Sequence, residues 1–214
     1  MPLPEKCAVV FDLDDTLYHE RDFVESGFRA VADFIDQRNG FSIYQRLIGW
    51  YEAGEKDVFA RIIKHQQLAI DKVALIQKYR EHEPTLSLAS NVKQLLKKLC
   101  AEGHDFGIIT DGRAATQRNK IRALGLDQWN SAIAISEEMG VEKPHPKSFL
   151  RLQHRFAGMP LVYIGDNPAK DFVAPRRLGW TTVCVRASAV NIHPQKFDCL
   201  PAHFQPHYLI DQLA

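Results

Sequence analysis

Over most of its second half the chain alternates short apolar runs with longer segments of helical periodicity, and this alternation constrains the fold more than any other feature. Each apolar run has the length of a buried strand, and the segments between the runs carry apolar residues at helical spacing. Parallel strands need such crossover connections, so the pattern predicts a doubly wound α/β fold with a parallel, Rossmann-like sheet. The runs lie at residues 106–109, 132–135, 161–164 and 182–185.

A further apolar run near the amino terminus ends abruptly in acidic residues. Cys7 to Phe11 has the composition of a buried strand, and Asp12, Asp14 and Asp15 follow it directly. Ligands bind at the carboxyl ends of strands in parallel sheets, and side chains alternate, so Asp12 and Asp14 can face the same side. Two carboxylates there can bind Mg²⁺ or divide the roles of nucleophile and proton carrier. A strand that ends in a solvated acidic turn is the alternative that this stretch alone leaves open.

Only helical periodicity is found between this strand and the alternating half. Four apolar stripes at helical spacing predict four helices, with Asn39-Gly40 as the stop of the first. The block contains no strand and helix alternation, so it is interpreted as an insertion. The sequence therefore predicts a core made of residues 1–18 and 87–214 and an inserted helical subdomain of residues 19–86.

Composition indicates an ordinary globular protein and excludes several classes of function. The chain has 214 residues, of which 45% are hydrophobic and 25% charged, and its net charge of +1 argues against a basic nucleic-acid-binding surface. Scattered cysteines without a CxxC pair, and no signal-peptide pattern, are typical of a cytoplasmic protein. No apolar stretch approaches the roughly 20 residues of a membrane span. We therefore expect a cytoplasmic protein with no nucleic-acid or membrane partner, and nothing in the sequence indicates its oligomeric state.

Four polar motifs follow four of the predicted strands, and a parallel sheet would bring these strand ends to one edge. In this order the motifs resemble those of the haloacid dehalogenase superfamily, and of its phosphatases in particular. The resemblance extends from Cys7 to about Arg186, and the helical block looks like the cap of members with a helical insertion. The motifs are Asp12-Leu13-Asp14-Asp15-Thr16, Ile109-Thr110-Asp111-Gly112, Glu142-Lys143-Pro144 and Gly165-Asp166-Asn167-Pro168-Ala169-Lys170-Asp171.

The resemblance implies a Mg²⁺ cofactor. Asp12 and Asp166 would bind the ion through their carboxylates, and Asp14 through its backbone carbonyl. Asp171 would be a further or an indirect contributor, although an acid in the first turn of a helix is also common for dipole reasons. So few protein ligands suit Mg²⁺, because this ion keeps several waters and accepts a substrate phosphate oxygen.

The resemblance also assigns the chemistry to the first motif. Asp12 would attack phosphorus to give an aspartyl-phosphate. Asp14 would protonate the leaving oxygen and then deprotonate the water that hydrolyses the intermediate. Dehalogenases of the superfamily attack carbon and do not need this second acid, so its presence favours phosphoryl transfer.

Contacts to the phosphoryl group are implied for the second and third motifs. Thr110 would donate a hydrogen bond, and Lys143 would supply the positive charge that offsets the dianion. The backbone N–H at Asp111 would be a further donor. Arg113 adjoins this motif and can contact substrate, with a surface role as the alternative.

The sequence thus predicts a Mg²⁺-dependent phosphatase that acts on a small phosphorylated metabolite, of the sugar phosphate or nucleoside monophosphate class. One alternative is a phosphotransferase or mutase of the same superfamily, and another is a non-catalytic binding protein on this fold. The helical block is expected to supply the contacts to the leaving group. Its candidate residues are His19, Arg21, Arg46, Trp50 and Lys56.

Overall fold

Six parallel strands form the sheet of the computed structural model, which describes residues 3–129, 132–192, 195–197 and 201–213. The strand order is β3-β2-β1-β4-β5-β6, which confirms the predicted doubly wound fold. The sixth strand lies in the Pro- and His-rich carboxyl-terminal segment. The strands are β1 (Ala8–Phe11), β2 (Asp105–Thr110), β3 (Ala132–Ile135), β4 (Leu161–Gly165), β5 (Thr181–Val185) and β6 (Tyr208–Ile210).

The first strand occupies the centre of the sheet. All four residues of β1 are buried, and Phe11 pairs with Ile108 on one side and Ile164 on the other. The chain proceeds outward from β1 through β2 to β3, and from β4 through β5 to β6. The strand order therefore reverses between β1 and β4, and ligands of open α/β sheets bind beyond the strand ends at such a point.

Helices connect the strands, and among the described residues none is long and apolar enough to cross a membrane. Short 3₁₀ turns occupy Asp127–Trp129 and Ala202–Phe204. The helices are α1 (Glu20–Ile35), α2 (Gly40–Glu52), α3 (Val58–Gln66), α4 (Lys72–Glu81), α5 (Ser90–Ala101), α6 (Ala114–Ala123), α7 (Ser136–Met139), α8 (Lys147–Arg155) and α9 (Val173–Arg177).

The chain divides into two compact units, Met1–Arg21 with Ser87–Ala214 and Asp22–Leu86. In the first, aromatic residues form the core beside β4. Phe149 makes edge-on contacts with Tyr163 and Trp180, at ring separations of 5.0 and 5.7 Å. Tyr163 is fully buried, so its hydroxyl needs a partner inside the protein.

The second unit is helical, as the periodicity predicts. Phe28 of α1 packs against Tyr51, Phe59 and Tyr79, with ring centroids 5.7 to 5.9 Å apart. Trp50 contacts His65 and lies under the Arg61 guanidinium, so it has partners within this unit. The role of residues 19–86 as a cap, and of the candidates His19, Arg21, Arg46, Trp50 and Lys56 as substrate contacts, stays a prediction.

The prediction that Asn39-Gly40 ends the first helix is wrong, because these residues begin the second helix. The first helix ends at Ile35, and Gly40 begins α2 with Asn39 in the N-cap position. A Cβ atom on Gly40 would lie 2.4 Å from Asp33 Oδ1 and 3.3 Å from the Asp33 backbone. Gly40 is therefore required because the start of the second helix passes close to the end of the first.

Candidate active site

The strand ends bring most of the predicted residues to a single acidic cavity of about 90 Å³. Asp12, Thr110 and Asp166 follow or end β1, β2 and β4, three adjacent strands of the sheet. The Asp12 backbone N–H donates to Ile164 O at 2.8 Å, which continues the pairing of β1 with β4 past the end of the strand. The cavity is lined by Asp12, Asp14, Asp15, Glu20, Thr110, Asp111, Asp166, Asn167 and Lys170.

Lys143 is the buried cation beside this cavity. Its Nζ lies 2.8 Å from Asp12 Oδ1 and 2.7 Å from Asp171 Oδ1, and it donates to the Tyr163 hydroxyl at 3.1 Å. Burial lowers the pKa of Lys143, but the charges of Asp12 and Asp171 outweigh it and hold that pKa well above its usual value. Lys143 therefore keeps its charge next to the predicted nucleophile.

Burial dominates the electrostatics of Asp12. It raises the pKa of Asp12 to about 7, against the attraction of Lys143. The carboxylate is thus held close to its protonation midpoint near neutral pH. A further positive charge in the cavity would favour its ionised, nucleophilic form.

The carboxylates of Asp12, Asp166 and Asp171 form a group that fits a metal ion, with oxygen atoms within 4.8 Å of one another. Asp166 Oδ2 is buried and has no hydrogen-bond partner. Burial and the charge of Asp12 raise the pKa of Asp166 to about 9. An unpaired buried carboxylate oxygen is costly, and a hard divalent cation such as Mg²⁺ is the partner that oxygen ligands of this kind prefer. The donor set therefore fits the predicted cofactor.

Asp171 is the deepest member of this group and is already engaged. Its Oδ1 pairs with Lys143, and its Oδ2 accepts the backbone N–H of Asn167 at 2.8 Å. These contacts fix both the Lys143 side chain and the loop that carries Asp166. Of its two predicted roles, the geometry favours the indirect one.

The Asp14 carboxylate contacts α6 and does not belong to the metal-binding group of Asp12, Asp166 and Asp171. Oδ1 lies 2.7 Å from Lys120 Nζ and accepts the Tyr18 hydroxyl at 2.5 Å, while Oδ2 accepts Gln117 Nε2 at 3.3 Å. Any metal contact of Asp14 would therefore come from its backbone, as the resemblance implies. A separate carboxylate suits the role of acid and base.

Thr110 faces the cavity with a buried hydroxyl that has no partner. Asp111 supports the neighbouring loops, since Oδ1 accepts the Lys143 backbone N–H at 3.1 Å and Oδ2 pairs with Lys170 Nζ at 3.0 Å. Arg113 lies in the N-cap position of α6, exposed and outside the cavity lining. The structure thus brings Thr110 and Asp111 to the site but not Arg113.

Four charged residues at the site are absent from the predicted site residues: Asp15, which lines the cavity, Glu20, Lys120 and Lys170. Lys120 is buried, and Lys170 and Glu20 line the cavity. Burial and the charge of Asp14 raise the pKa of Glu20 to about 7. Lys170 could have been found, because it falls within the fourth motif. Lys120 and Glu20 lie in helices, where charged residues are usually exposed and give no such signal.

Comparison with known proteins agrees with this geometry. The family profile of haloacid dehalogenase-like hydrolases matches residues 9–185, which confirms the resemblance drawn from the four motifs. The glyceraldehyde 3-phosphate phosphatase of Methanopyrus kandleri is 29% identical, over 91% of this chain and 90% of the relative. The enzyme of the same name from Methanocaldococcus jannaschii is 32% identical, over 82% and 83%.

A solved structure shows the same fold. The magnesium-bound HAD-hydrolase YfnB from Bacillus subtilis superposes with a TM-score of 0.69 at 22% sequence identity. The alignment covers 98% of this chain and 96% of YfnB. The likeness in fold therefore extends over nearly the whole chain, the helical block included.

Proposed function

This chain belongs to the haloacid dehalogenase-like hydrolases and is a phosphatase of that family, and we propose that it hydrolyses small sugar phosphates with the help of Mg²⁺ through an aspartyl-phosphate on Asp12. The proposal is supported mainly by two unpaired buried atoms at the ends of β2 and β4, the two strands that flank β1. Asp166 Oδ2 is an acceptor without a donor, and Thr110 Oγ1 is a hydroxyl without a partner. A bound cation would be the partner of Asp166 Oδ2, and a phosphoryl oxygen would accept a hydrogen bond from Thr110 Oγ1.

Asp166 and Asp12 would hold the ion, with the Asp14 backbone carbonyl and the indirect support of Asp171. Once bound, Mg²⁺ would neutralise part of the phosphate charge and favour the ionised form of Asp12. Lys143, at 2.8 Å from Asp12, would offset the remaining charge from the other side.

The reaction is then carried by two carboxylates. The Asp12 oxygen attacks phosphorus, and the bond from phosphorus to the leaving oxygen breaks as Asp14 transfers its proton to that oxygen. Asp14 next takes a proton from water, whose oxygen attacks phosphorus and releases Asp12 and inorganic phosphate. Thr110 would donate to a phosphoryl oxygen in both steps.

The sugar phosphate class is favoured over nucleoside monophosphates because the two relatives described above are glyceraldehyde 3-phosphate phosphatases. These two relatives match at least four fifths of this chain. An alkyl ester of this kind leaves as a basic alkoxide, which agrees with an acid placed apart from the metal-binding carboxylates.

Phosphate release from a panel of phosphorylated metabolites would test the proposal. The panel should include glyceraldehyde 3-phosphate, other triose and pentose phosphates, nucleoside monophosphates and phosphoglycolate, each with Mg²⁺ and with EDTA. We expect the highest kcat/KM on a sugar phosphate and no turnover in EDTA. Preference for nucleotides would overturn the substrate class, and unchanged turnover in EDTA would overturn the metal requirement.

Asp12→Asn is the control for the intermediate. Its turnover should be lost while its circular dichroism spectrum is retained, and only the native enzyme should show a phosphorylated Asp12 peptide by mass spectrometry after an acid quench. Added glycerol or glucose tests the phosphotransferase alternative. Phosphorylated acceptor in place of inorganic phosphate would favour transfer over hydrolysis.

A further inference from the structure

Helix α6 has a buried face that is polar. Thr116, Gln117 and Lys120 are all buried, with Ile121 the apolar member of the face. Lys120 is only 2% exposed and Gln117 3%. A lysine is seldom buried in this way unless it is paired, because removing its charge from water is costly. This polar face therefore has partners inside the protein whose interactions offset the free-energy cost of its burial.

One partner of this face is the carboxylate of Asp14. Residues three positions apart share one helix face, so Gln117 and Lys120 reach it together. Lys120 Nζ lies 2.7 Å from Oδ1, and Gln117 Nε2 donates to Oδ2 at 3.3 Å. Each oxygen of Asp14 thus has its own donor from α6. These two contacts, together with the Tyr18 hydroxyl that also donates to Oδ1, fix the plane of the carboxylate.

The loop of the second motif is shaped to admit this arrangement. Gln117 Nε2 also donates to Asp111 O at 3.1 Å. A Cβ atom on Gly112 would lie 2.6 Å from Gln117 Nε2, and the backbone there has a φ of +135°, which favours glycine. Gly112 therefore leaves the space through which Gln117 reaches Asp14.

We propose that Lys120 is a positioning residue for Asp14, assisted by Gln117, and that it sets how well the enzyme expels poor leaving groups. The inference rests on the proposed function, because it requires Asp14 to protonate the leaving oxygen. Lys120 is not among the residues that line the cavity. It acts by holding the Asp14 carboxylate in the direction of that oxygen.

The readout is the dependence of kcat/KM on the leaving group. This ratio reports steps up to formation of the aspartyl-phosphate, so the attack of water does not enter it. The leaving group of a sugar phosphate is a basic alkoxide, which needs to be protonated by the acid. The p-nitrophenolate of p-nitrophenyl phosphate is weakly basic and leaves without protonation. Misplacing the acid should therefore affect the first substrate far more than the second.

Lys120→Met should lower kcat/KM for the preferred sugar phosphate by about 10²-fold and for p-nitrophenyl phosphate by less than about 5-fold. Lys120→Arg, which keeps the cation, should recover part of the loss. Gln117→Leu should show the same selectivity to a smaller extent and provides the test if Lys120→Met does not fold. Arg122→Met, on the exposed side of the same helix, is the matched control and should resemble the native enzyme.

A double-mutant cycle separates positioning from structure. If Lys120 acts through Asp14, Lys120→Met should add little to Asp14→Asn. Equal losses on both substrates, or additive losses in the double variant, would overturn the proposal. If Asp14→Asn itself shows no dependence on the leaving group, the acid role in the proposed function is what fails.

Discussion

Removing Lys143 should destabilise the protein even when no substrate or metal is present. Its side chain is 1% exposed and forms ion pairs with Asp12 at 2.8 Å and with Asp171 at 2.7 Å. Lys143→Met keeps the apolar stem but leaves two buried carboxylates without their cation. Removing one partner of a buried ion pair typically costs about 3–5 kcal/mol. We expect a loss of that size in the free energy of unfolding.

Lys170→Met is the matched control, because Lys170 also forms one ion pair at the site. Its Nζ lies 3.0 Å from Asp111 Oδ2, but its side chain is 33% exposed. Water screens such a pair, and its removal should cost about 0–1 kcal/mol. The two lysine variants should therefore differ by at least about 2 kcal/mol, although each loses the same charge.

Urea unfolding in EDTA would measure both variants, with the m-value as a check that the denatured states are comparable. The penalty of Lys143→Met should shrink as the pH falls below about 7, because Asp12 then becomes protonated in the native protein and that ion pair is lost there too. Lys143→Met combined with Asp171→Asn should regain part of the stability. A cost below 1 kcal/mol with an unchanged m-value would refute the reasoning, since it would mean that protonation or water relieves the two remaining carboxylates at little cost.

Two further predictions concern the same carboxylates. The pKa values of Asp12 and Asp166, about 7 and about 9, lie above the ordinary 3.8. The metal-free native protein therefore binds more protons than the unfolded chain between these pH values. Its Tm should fall as the pH rises from 5 to 9. Mg²⁺ should flatten this slope in differential scanning calorimetry, as should Asp166→Asn, and a flat metal-free profile would contradict the assignment. Gly165→Ala places a Cβ atom 2.5 Å from Asp171 Oδ2 and should lower the free energy of unfolding in urea by about 1–3 kcal/mol. Gly49→Ala is the control, because the space around Gly49 is open, and it should be neutral or stabilising. Equal effects of the two substitutions would contradict the close approach of Asp171 to Gly165.

The sequence predicts the meeting of the motifs at one edge because each motif follows an apolar run. Asp12, Thr110 and Asp166 are far apart in the chain, yet the parallel topology alone brings their strand ends together. Strand identity and strand order depend on apolar pattern and crossover handedness, both of which can be inferred from residues. This part of the site could therefore be predicted.

The contacts of side chains on helices could not be predicted in the same way. Lys120 and Asp14 are 106 positions apart in the sequence. Helical periodicity identifies buried faces from apolar residues alone, so it does not predict that the polar face of α6 is buried. Arg113 is the converse case. It adjoins the second motif, but the helix that begins after it leaves its side chain exposed. Proximity in sequence does not fix the direction of a side chain once a helix starts.

The position of β1 at the centre of the sheet has a consequence for how the chain reaches its native state. Ala8 pairs with Asp105 on one side and with Leu161 on the other, so β1 precedes both of its neighbours by long stretches of chain. Until β4 is available, a fully apolar strand keeps one edge open, and such edges promote aggregation. The helices of residues 22–86 can form meanwhile from local contacts, which close quickly. The pairing of β1 is therefore among the last to be completed, and fragments that end before Leu161 should depend on chaperones to stay in solution.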